Sequence, residues 1–257
     1  MPLRHRQAVC TLFPMPQKPD YGIDAPGVVR NLIIVGLVCL PFGFFVPPLH
    51  FGQVTVIANG MFFGPGYGCL TGGLLMLVYS KWGKFRHRER MLNMVSWRGD
   101  EQVLDIGTGR GLLIIGAAKR LTTGKGTGID IWSGKDLSGN SMEKTRANVE
   151  MEGVAGKVEL LSEDACKLSF PDLTFDVVVS NLCIHNIPSS EGRAQACREI
   201  ARVLKVGGKA IISDFVQTGF YLTIFRQSGL KVKRSGYTLD FPPLRVIEAQ
   251  KPSWSES

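Results

Sequence analysis

Between Arg30 and Lys81 the chain runs for fifty residues without Asp, Glu, Lys or Arg, whereas from residue 101 onward short apolar runs alternate with amphipathic stretches. The two patterns predict two different surroundings. The first holds two apolar segments, Leu32–Val46 and Val54–Tyr79. A helix rises about 1.5 Å per residue, so the second segment is long enough to cross a hydrocarbon layer of roughly 30 Å. The first is marginal, because Pro41 interrupts it and Pro47-Pro48 closes it. Together they predict a helical hairpin, about 31–49 and 54–79, in which Gly60, Gly64, Gly66, Gly68, Gly72 and Gly73 let the helices approach closely. A buried apolar arm or a membrane-dipping loop would show the same pattern.

The second pattern predicts a doubly wound α/β domain. Strands are expected at Gln102–Ile106, Gly126–Ile131, Val158–Leu161, Phe175–Asn181 and Lys209–Ser213, with two closing strands meeting near Pro242-Pro243. Leu112–Leu121 reads as the first crossover helix, and Asn140 with Glu143 as a capping pair for the helix that runs to Glu152. Ala194, Cys197, Ile200, Ala201 and Leu204 share one helical face, and Phe220–Ser228 is a helix stopped by Gly229. Met91, Leu92, Val95 and Trp97 suit a linking helix packed on the sheet.

Chemistry enters at the first strand. Its apolar run gives way to alternate glycines, Gly107, Gly109 and Gly111, where a helix must begin. Without β-carbons the backbone there can approach a ligand, and free N–H groups at a helix start favour an anionic end. The next strand closes on Asp130, whose oxygens can accept both hydroxyls of a ribose. A dinucleotide turn would want Gly-x-Gly-x-x-Gly, but Leu112 stands at the third glycine position. Asp105 would repel a pyrophosphate and attract an ammonium or sulfonium.

With these residues the chain, from about Trp97 to Pro252, resembles the class I S-adenosylmethionine-dependent methyltransferases, and more closely those that methylate small molecules and lipid quinones. The resemblance implies a Rossmann-like seven-stranded sheet, mostly parallel with one antiparallel strand near the edge, preceded here by an α-helical transmembrane hairpin. It implies S-adenosylmethionine as cofactor, with Asp105, Gly107, Thr108, Gly109 and Gly111 at the methionine end. Asp130 and Ile131 fall at the ribose, Asp164 and Ala165 at the adenine, and Asn181 beside the methionine end or the acceptor. Asp164 would otherwise cap a turn, and Trp132 either flanks the adenine or covers the sheet edge. The segment Arg198–Gly208 matches the family's following helix and turn, with Val206 where most relatives carry Pro.

Acceptor chemistry is expected at the carboxyl ends of the fourth and fifth strands, where open α/β sheets bind ligands. There His185 has the ordinary pKa range of a base near neutrality, Asn181 can position a reactant, and Asp214 either orients an acceptor or caps the next helix. His185 can equally be a packing residue.

Charge refines the picture at the hairpin's ends. The net charge is +8, with Arg4, Arg6, Lys18 and Arg30 before the hairpin and Lys81, Lys84, Arg86, Arg88 and Arg90 after it. Basic flanks on both sides place both ends, and the catalytic domain, in the cytoplasm. The cluster reads as attraction to anionic headgroups rather than to nucleic acid, since it abuts an apolar stretch. A cleaved secretory signal fits poorly, because about thirty residues precede the first apolar run. The six cysteines, Cys10, Cys39, Cys69, Cys166, Cys183 and Cys197, have no metal-ligand spacing and read as reduced thiols.

The resulting division is a tail (1–30), a membrane hairpin (31–80), a basic linker and helix (81–100) and a methyltransferase domain (101–257). The expected activity is methyl transfer to a small apolar acceptor such as a quinone, isoprenoid phenol or lipid, at a multi-pass membrane location. Deleting residues 1–80 is then expected to keep cofactor binding and abolish turnover of a membrane acceptor. The alternatives are a soluble thiol or amine acceptor with the hairpin as an anchor, and a non-catalytic membrane scaffold.

Overall fold

The computed structural model of the chain describes residues 18–253; Arg4, Arg6 and Cys10 lie outside them. Helix α1 (Pro26–Phe45) and helix α2 (Gly60–Val78) form the hairpin, joined at the tip by an antiparallel strand pair, β1 (Leu49–Phe51) and β2 (Val54–Val56). Both helices are long and apolar enough to cross a membrane. α1 spans about 30 Å at 1.5 Å per residue. It starts five residues earlier than the hydropathy run suggests, because Pro26 suits a first helical turn. Pro41 falls in its last turns and does not end it. Residues 54–56, expected in the second helix, are strand instead.

Close approach in the hairpin uses fewer of the predicted glycines, and two from the other helix. A β-carbon at Gly66 would lie 3.0 Å from Leu40, and one at Gly73 would lie 2.9 Å from Ile33, whereas Gly60, Gly64 and Gly68 face open space. Gly36 and Gly43 of α1 are buried and meet Leu70 and Phe63. The expectation named only one side of the contact, because α2 holds most of the glycine.

A π-helical turn, Tyr79–Gly83, carries α2 into helix α3 (Lys84–Leu92), which packs Met91 and Leu92 onto the large sheet. The basic cluster is largely engaged inside the protein. Lys84 is buried and donates to the Tyr21 and Gly22 carbonyls, Arg88 pairs with Glu89, and Arg90 pairs with Asp240. Lys81 and Arg86 stay exposed.

The domain is the expected seven-stranded sheet. Its strands are β3 (Gln102–Ile106), β4 (Lys125–Asp130), β5 (Val158–Ser162), β6 (Phe175–Asn181), β7 (Leu204–Asp214), β8 (Lys231–Arg234) and β9 (Arg245–Gln250). They lie in the order β5-β4-β3-β6-β7-β9-β8, and β9 alone runs antiparallel to its neighbours. Successive side chains enter opposite layers. Leu104, Val178, Ile212 and Ile247 face helices α6 (Ser190–Val203) and α7 (Thr218–Gln227). Val103, Val177, Val179 and Ile211 face α3, α4 (Leu112–Ala118) and α5 (Met142–Met151). The strand order reverses between β3 and β6, so their carboxyl ends open the crevice that positions the site. Ser141, not Asn140, caps α5, accepting from Lys144 N at 3.3 Å.

Candidate active site

The loop after β3 is built by backbone necessity. Gly107, Gly109 and Gly111 all have positive φ, +71°, +53° and +85°, conformations that cost an L-residue strain. A β-carbon at Gly107 would also overlap Cys183 Sγ, and one at Gly109 would lie 2.9 Å from Leu137. Asp105 ties the loop to the helix: its Oδ2 accepts from Thr108 Oγ1 at 2.8 Å and from Ile114 N at 3.1 Å. Its Oδ1 is buried with no partner. Burial pushes the Asp105 pKa up to about 7; its two hydrogen bonds oppose the rise and the charge of Asp130 adds to it.

At the end of β4, Asp130 Oδ2 accepts from Gly109 N at 2.8 Å, which brings the two predicted cofactor positions together. Oδ1 accepts from Trp132 N at 2.6 Å and Asn140 Nδ2 at 3.2 Å. Asn140 is a residue that sequence reasoning assigned to capping; its own Oδ1 is buried and unpartnered. Ile131 is exposed beside it, while Trp132 turns through a positive φ and donates from Nε1 to Ser162 Oγ. Asp164 stands exposed after β5 and accepts from Cys166 N at 2.8 Å, a turn-capping bond; Ala165 packs against the core.

A small cavity of about 60 Å³ lies along this loop, lined by Asp105, Gly107, Thr108, Gly109 and Asn181 from the sheet side. Its other walls were not read from the sequence. Tyr21, Asp24 and Lys84 come from the base of the hairpin, Arg110 from the glycine loop itself and Leu137 from the segment after β4. Residues 20–24 form a strap, fixed by Arg110 to Asp20 at 3.0 Å, by Ser138 Oγ accepting from Ile23 N at 2.7 Å, and by Tyr21 OH donating to Glu152 at 2.7 Å. Asp24 in turn accepts from Ser80 Oγ at 3.0 Å and Lys84 Nζ at 3.2 Å. The one sequence signal was that Asp20 and Asp24 are the first acids in the chain, immediately ahead of the apolar run.

Of the three acceptor-side candidates, the structure joins two. Asp214 closes β7 fully buried, and its Oδ2 accepts from His185 N and Tyr221 OH, both at 3.2 Å. His185 Nδ1 lies 2.9 Å from Asp214 Oδ1, out of line for a hydrogen bond and without another partner. The ring packs edge-on against Phe215 at 4.8 Å. Asp214 therefore holds His185 and does not face a reactant. Asn181, at the end of β6, belongs to the cavity, and its Oδ1 is buried and unpartnered. Leu182 follows it at φ +53°, a conformation seldom taken by a leucine and stored where the chain turns into the site. Behind these residues His87 Nε2 and Ser213 Oγ lie 2.7 Å apart, so α3 touches the same strand end.

Residues 103–208 match the family model described as a methyltransferase domain. This segment is a methyltransferase domain, in a fold shared with solved S-adenosylmethionine-dependent methyltransferases. The chain is 27% identical over 178 residues to a ubiquinone/menaquinone biosynthesis C-methyltransferase of Ruegeria, covering 68% of this chain and 65% of that one. It is 34% identical over 125 residues to a phosphatidylethanolamine N-methyltransferase of Cereibacter sphaeroides, covering 49% and 55%. The chain thus spans about half to two thirds of the length of these relatives. Among solved structures, an O-methyltransferase family protein from Burkholderia thailandensis superposes with a TM-score of 0.58 over 88% of this chain and 71% of its own, at 14% identity, a likeness of fold.

The residues of the methyltransferase domain fit its cofactor. Three buried acceptor oxygens lack partners along the crevice, Asp105 Oδ1, Asn181 Oδ1 and Asn140 Oδ1. An ammonium and ribose hydroxyls are donors, and buried acceptors left alone are costly. The glycine cradle leaves backbone where side chains would stand.

Proposed function

We propose that the protein is a membrane-embedded methyltransferase whose acceptor is an apolar molecule reached from the bilayer, of the reduced quinone or isoprenoid phenol class. The single observation that supports this most is that the base of the hairpin forms walls of the catalytic crevice: Tyr21, Asp24 and Lys84 line the cavity together with Asn181 and the glycine loop. A hairpin used only as an anchor has no need to build the site.

Asp105, the glycine loop and Asp130 would hold the cofactor, which supplies an activated methyl group on a sulfonium. The protein's own contribution is alignment and proton management. His185 takes the proton of the acceptor oxygen or carbon acid, held in place by Asp214 through the backbone. Asn181 fixes the acceptor or the methionine end. The strap and Leu137 close over the glycine loop, and the remaining cavity has room for only a few waters; cofactor entry requires them to part. Deleting residues 1–80 would remove Tyr21 and Asp24 from the cofactor wall, so it does not separate binding from acceptor delivery. The relevant protein is the full chain. The exposed Lys18, Arg30, Lys81 and Arg86, basic on both sides of the hairpin, support a cytoplasmic position for the domain.

The test is transfer of a labelled methyl group by the full chain in lipid nanodiscs, offered a reduced demethylated polyprenyl quinone, phosphatidylethanolamine, or a soluble thiol or amine. Label in the quinone is the expected result. The relative that methylates phosphatidylethanolamine makes that lipid the second membrane acceptor to score. Label only in the soluble compound would reject delivery from the bilayer, and cofactor binding without transfer to any of them would favour a scaffold. His185→Gln should lower transfer by about 10²–10⁴-fold with cofactor binding kept, the range of a lost general base.

A further inference from the structure

The loop between β8 and β9, residues 235–244, carries three large exposed apolar side chains within five residues, Tyr237, Leu239 and Phe241. Leu239 is fully exposed. A single exposed leucine is ordinary. This one is held at a particular place from both sides. The next residue, Asp240, turns inward, accepting from Arg90 at 2.8 Å and lying 3.7 Å from His87 Nδ1. The residue after that, Phe241, lays its ring against Gly72 of α2, where a β-carbon would sit 3.7 Å from the ring and 4.0 Å from Leu32 of α1. Leu32 stands two residues past Arg30, the last charge before the hairpin's apolar surface begins. The loop therefore reaches the level at which the hairpin passes from charged to apolar.

Its surroundings are basic. The sheet-edge strand β8 exposes Lys233 and Arg234, and the Arg245 guanidinium stacks 3.7 Å above the Tyr237 ring. An apolar tip rimmed by cations and continuous with an apolar helix pair matches one surface, an anionic lipid bilayer. We propose that the β8–β9 loop is a membrane wedge, with Leu239 inserted at the headgroup–hydrocarbon boundary and Lys233 and Arg234 on anionic headgroups, so that the catalytic crevice is docked on the bilayer beside the hairpin. The inference rests on the hairpin being lipid-embedded and extends it to the catalytic domain. Because Asp240 of the same loop bonds α3 behind Ser213, the wedge is rigidly coupled to the strand end that carries Asp214.

The experiment uses the full chain with Trp82→Phe, reconstituted in phosphatidylcholine vesicles with or without phosphatidylglycerol, and lipids brominated near the headgroup or deep in the chains. Leu239→Trp, at a position that makes no internal contact to lose, is expected to add blue-shifted emission that shallow bromines quench more than deep ones. Phosphatidylglycerol should deepen the quenching, and Lys233→Glu with Arg234→Glu should remove that increment. Phe44→Trp in the same background reports on the hairpin itself. If Phe44→Trp is quenched and Leu239→Trp is not, the wedge is overturned while the hairpin stands; if neither is quenched, the membrane reading has failed with it. Blue-shifted Leu239→Trp emission that ignores bromines and appears only as the chain dimerises would assign the loop to a second copy and overturn the proposal. Quenching that ignores phosphatidylglycerol and the charge reversals would overturn the headgroup half of it.

Discussion

The same apolar residue types meet opposite fates in two regions of this chain. In the sheet and its crossover helices, Ile114, Ile115, Val178 and Val179 are sealed from solvent; in the hairpin, Leu37, Phe44 and Met61 stand 58%, 75% and 76% exposed. At roughly 25 cal/mol per Å² of apolar surface removed from water, the first set drives folding of its own domain, and the second is left uncovered among the described residues. Glycine divides along the same line. In the loop after β3 it supplies positive φ that other residues resist; in the hairpin it sits in ordinary helix and supplies nearness.

The sharpest way to break this comparison lies in the loop. Gly107→Ala forces an L-residue to φ +71° and a methyl group onto Cys183. The left-handed backbone costs about 1–2 kcal/mol and overpacking about 1–3 kcal/mol more. Binding of S-adenosylhomocysteine, measured by calorimetry, should fall by roughly 100-fold or more (~1.4 kcal/mol per tenfold). Adding Cys183→Gly should return the packing part and leave the backbone part. An unimpaired single mutant would mean that the loop does not hold the cofactor.

Next in size is a charge in the hairpin. Leu37→Asp places a carboxylate on the exposed face of α1, at a cost of about 2.5–3.5 kcal/mol if that face is in lipid. Retention in the membrane pellet after alkaline extraction should drop while the catalytic domain still binds S-adenosylhomocysteine. Full retention would show that the apolar face is covered by protein instead.

Much of this was legible in the chain, and where it was not the reason is specific. The seven strands and the glycine loop follow from local pattern: short apolar runs, a strand-to-helix change, and alternate glycines where the helix begins. Asp130 beside Gly109 follows from strand adjacency. The strap was invisible because its contacts, Arg110 to Asp20 and Asn148 to the Asp20 carbonyl, join residues 90 and 128 positions apart. Asn140 was misassigned because two adjacent residues, Asn140 and Ser141, are both good caps, and only geometry shows that Ser141 takes the role. The basic cluster after the hairpin looked like a lipid-binding face until the fold supplied partners for Lys84, Arg88 and Arg90.

A smaller effect sharpens the chemistry of the crevice. With its pKa raised by burial to about 7 against a usual 3.8, Asp105 keeps its proton in the folded state after the unfolded chain has lost it. Its contribution to stability is therefore full below about pH 4, declines by ~1.4 kcal/mol per pH unit as pH rises toward about 7, and is flat above that. Cofactor affinity should run the other way. An ammonium facing Asp105 favours the carboxylate, so affinity should rise by at most about tenfold per unit up to about pH 7 and then level off. Calorimetry across about pH 5.5–8.5 would trace it, with Asp105→Asn flattening the profile. A profile that falls with pH over this window would place the ammonium elsewhere.

The finest discrimination pits two hairpin glycines against each other. A β-carbon at Gly36 would lie 2.7 Å from Leu70 Cβ and 2.9 Å from Leu70 N, backbone that cannot give way without parting the helices. At Gly64 the same atom meets nothing within 4 Å. Ala relieves a helix of glycine's entropic cost, about 0.5–1 kcal/mol, at either site. At Gly36 overpacking of about 1–3 kcal/mol outweighs that gain; at Gly64 nothing opposes it. In nanodiscs, Gly36→Ala should lower the denaturant midpoint of the hairpin, read from the distance between labels on its two helices, and Gly64→Ala should leave it equal or slightly higher. Equal loss at both sites would mean that glycine serves helix flexibility here, and the contrast between a loop that needs left-handed backbone and a hairpin that needs close contact would lose its second half.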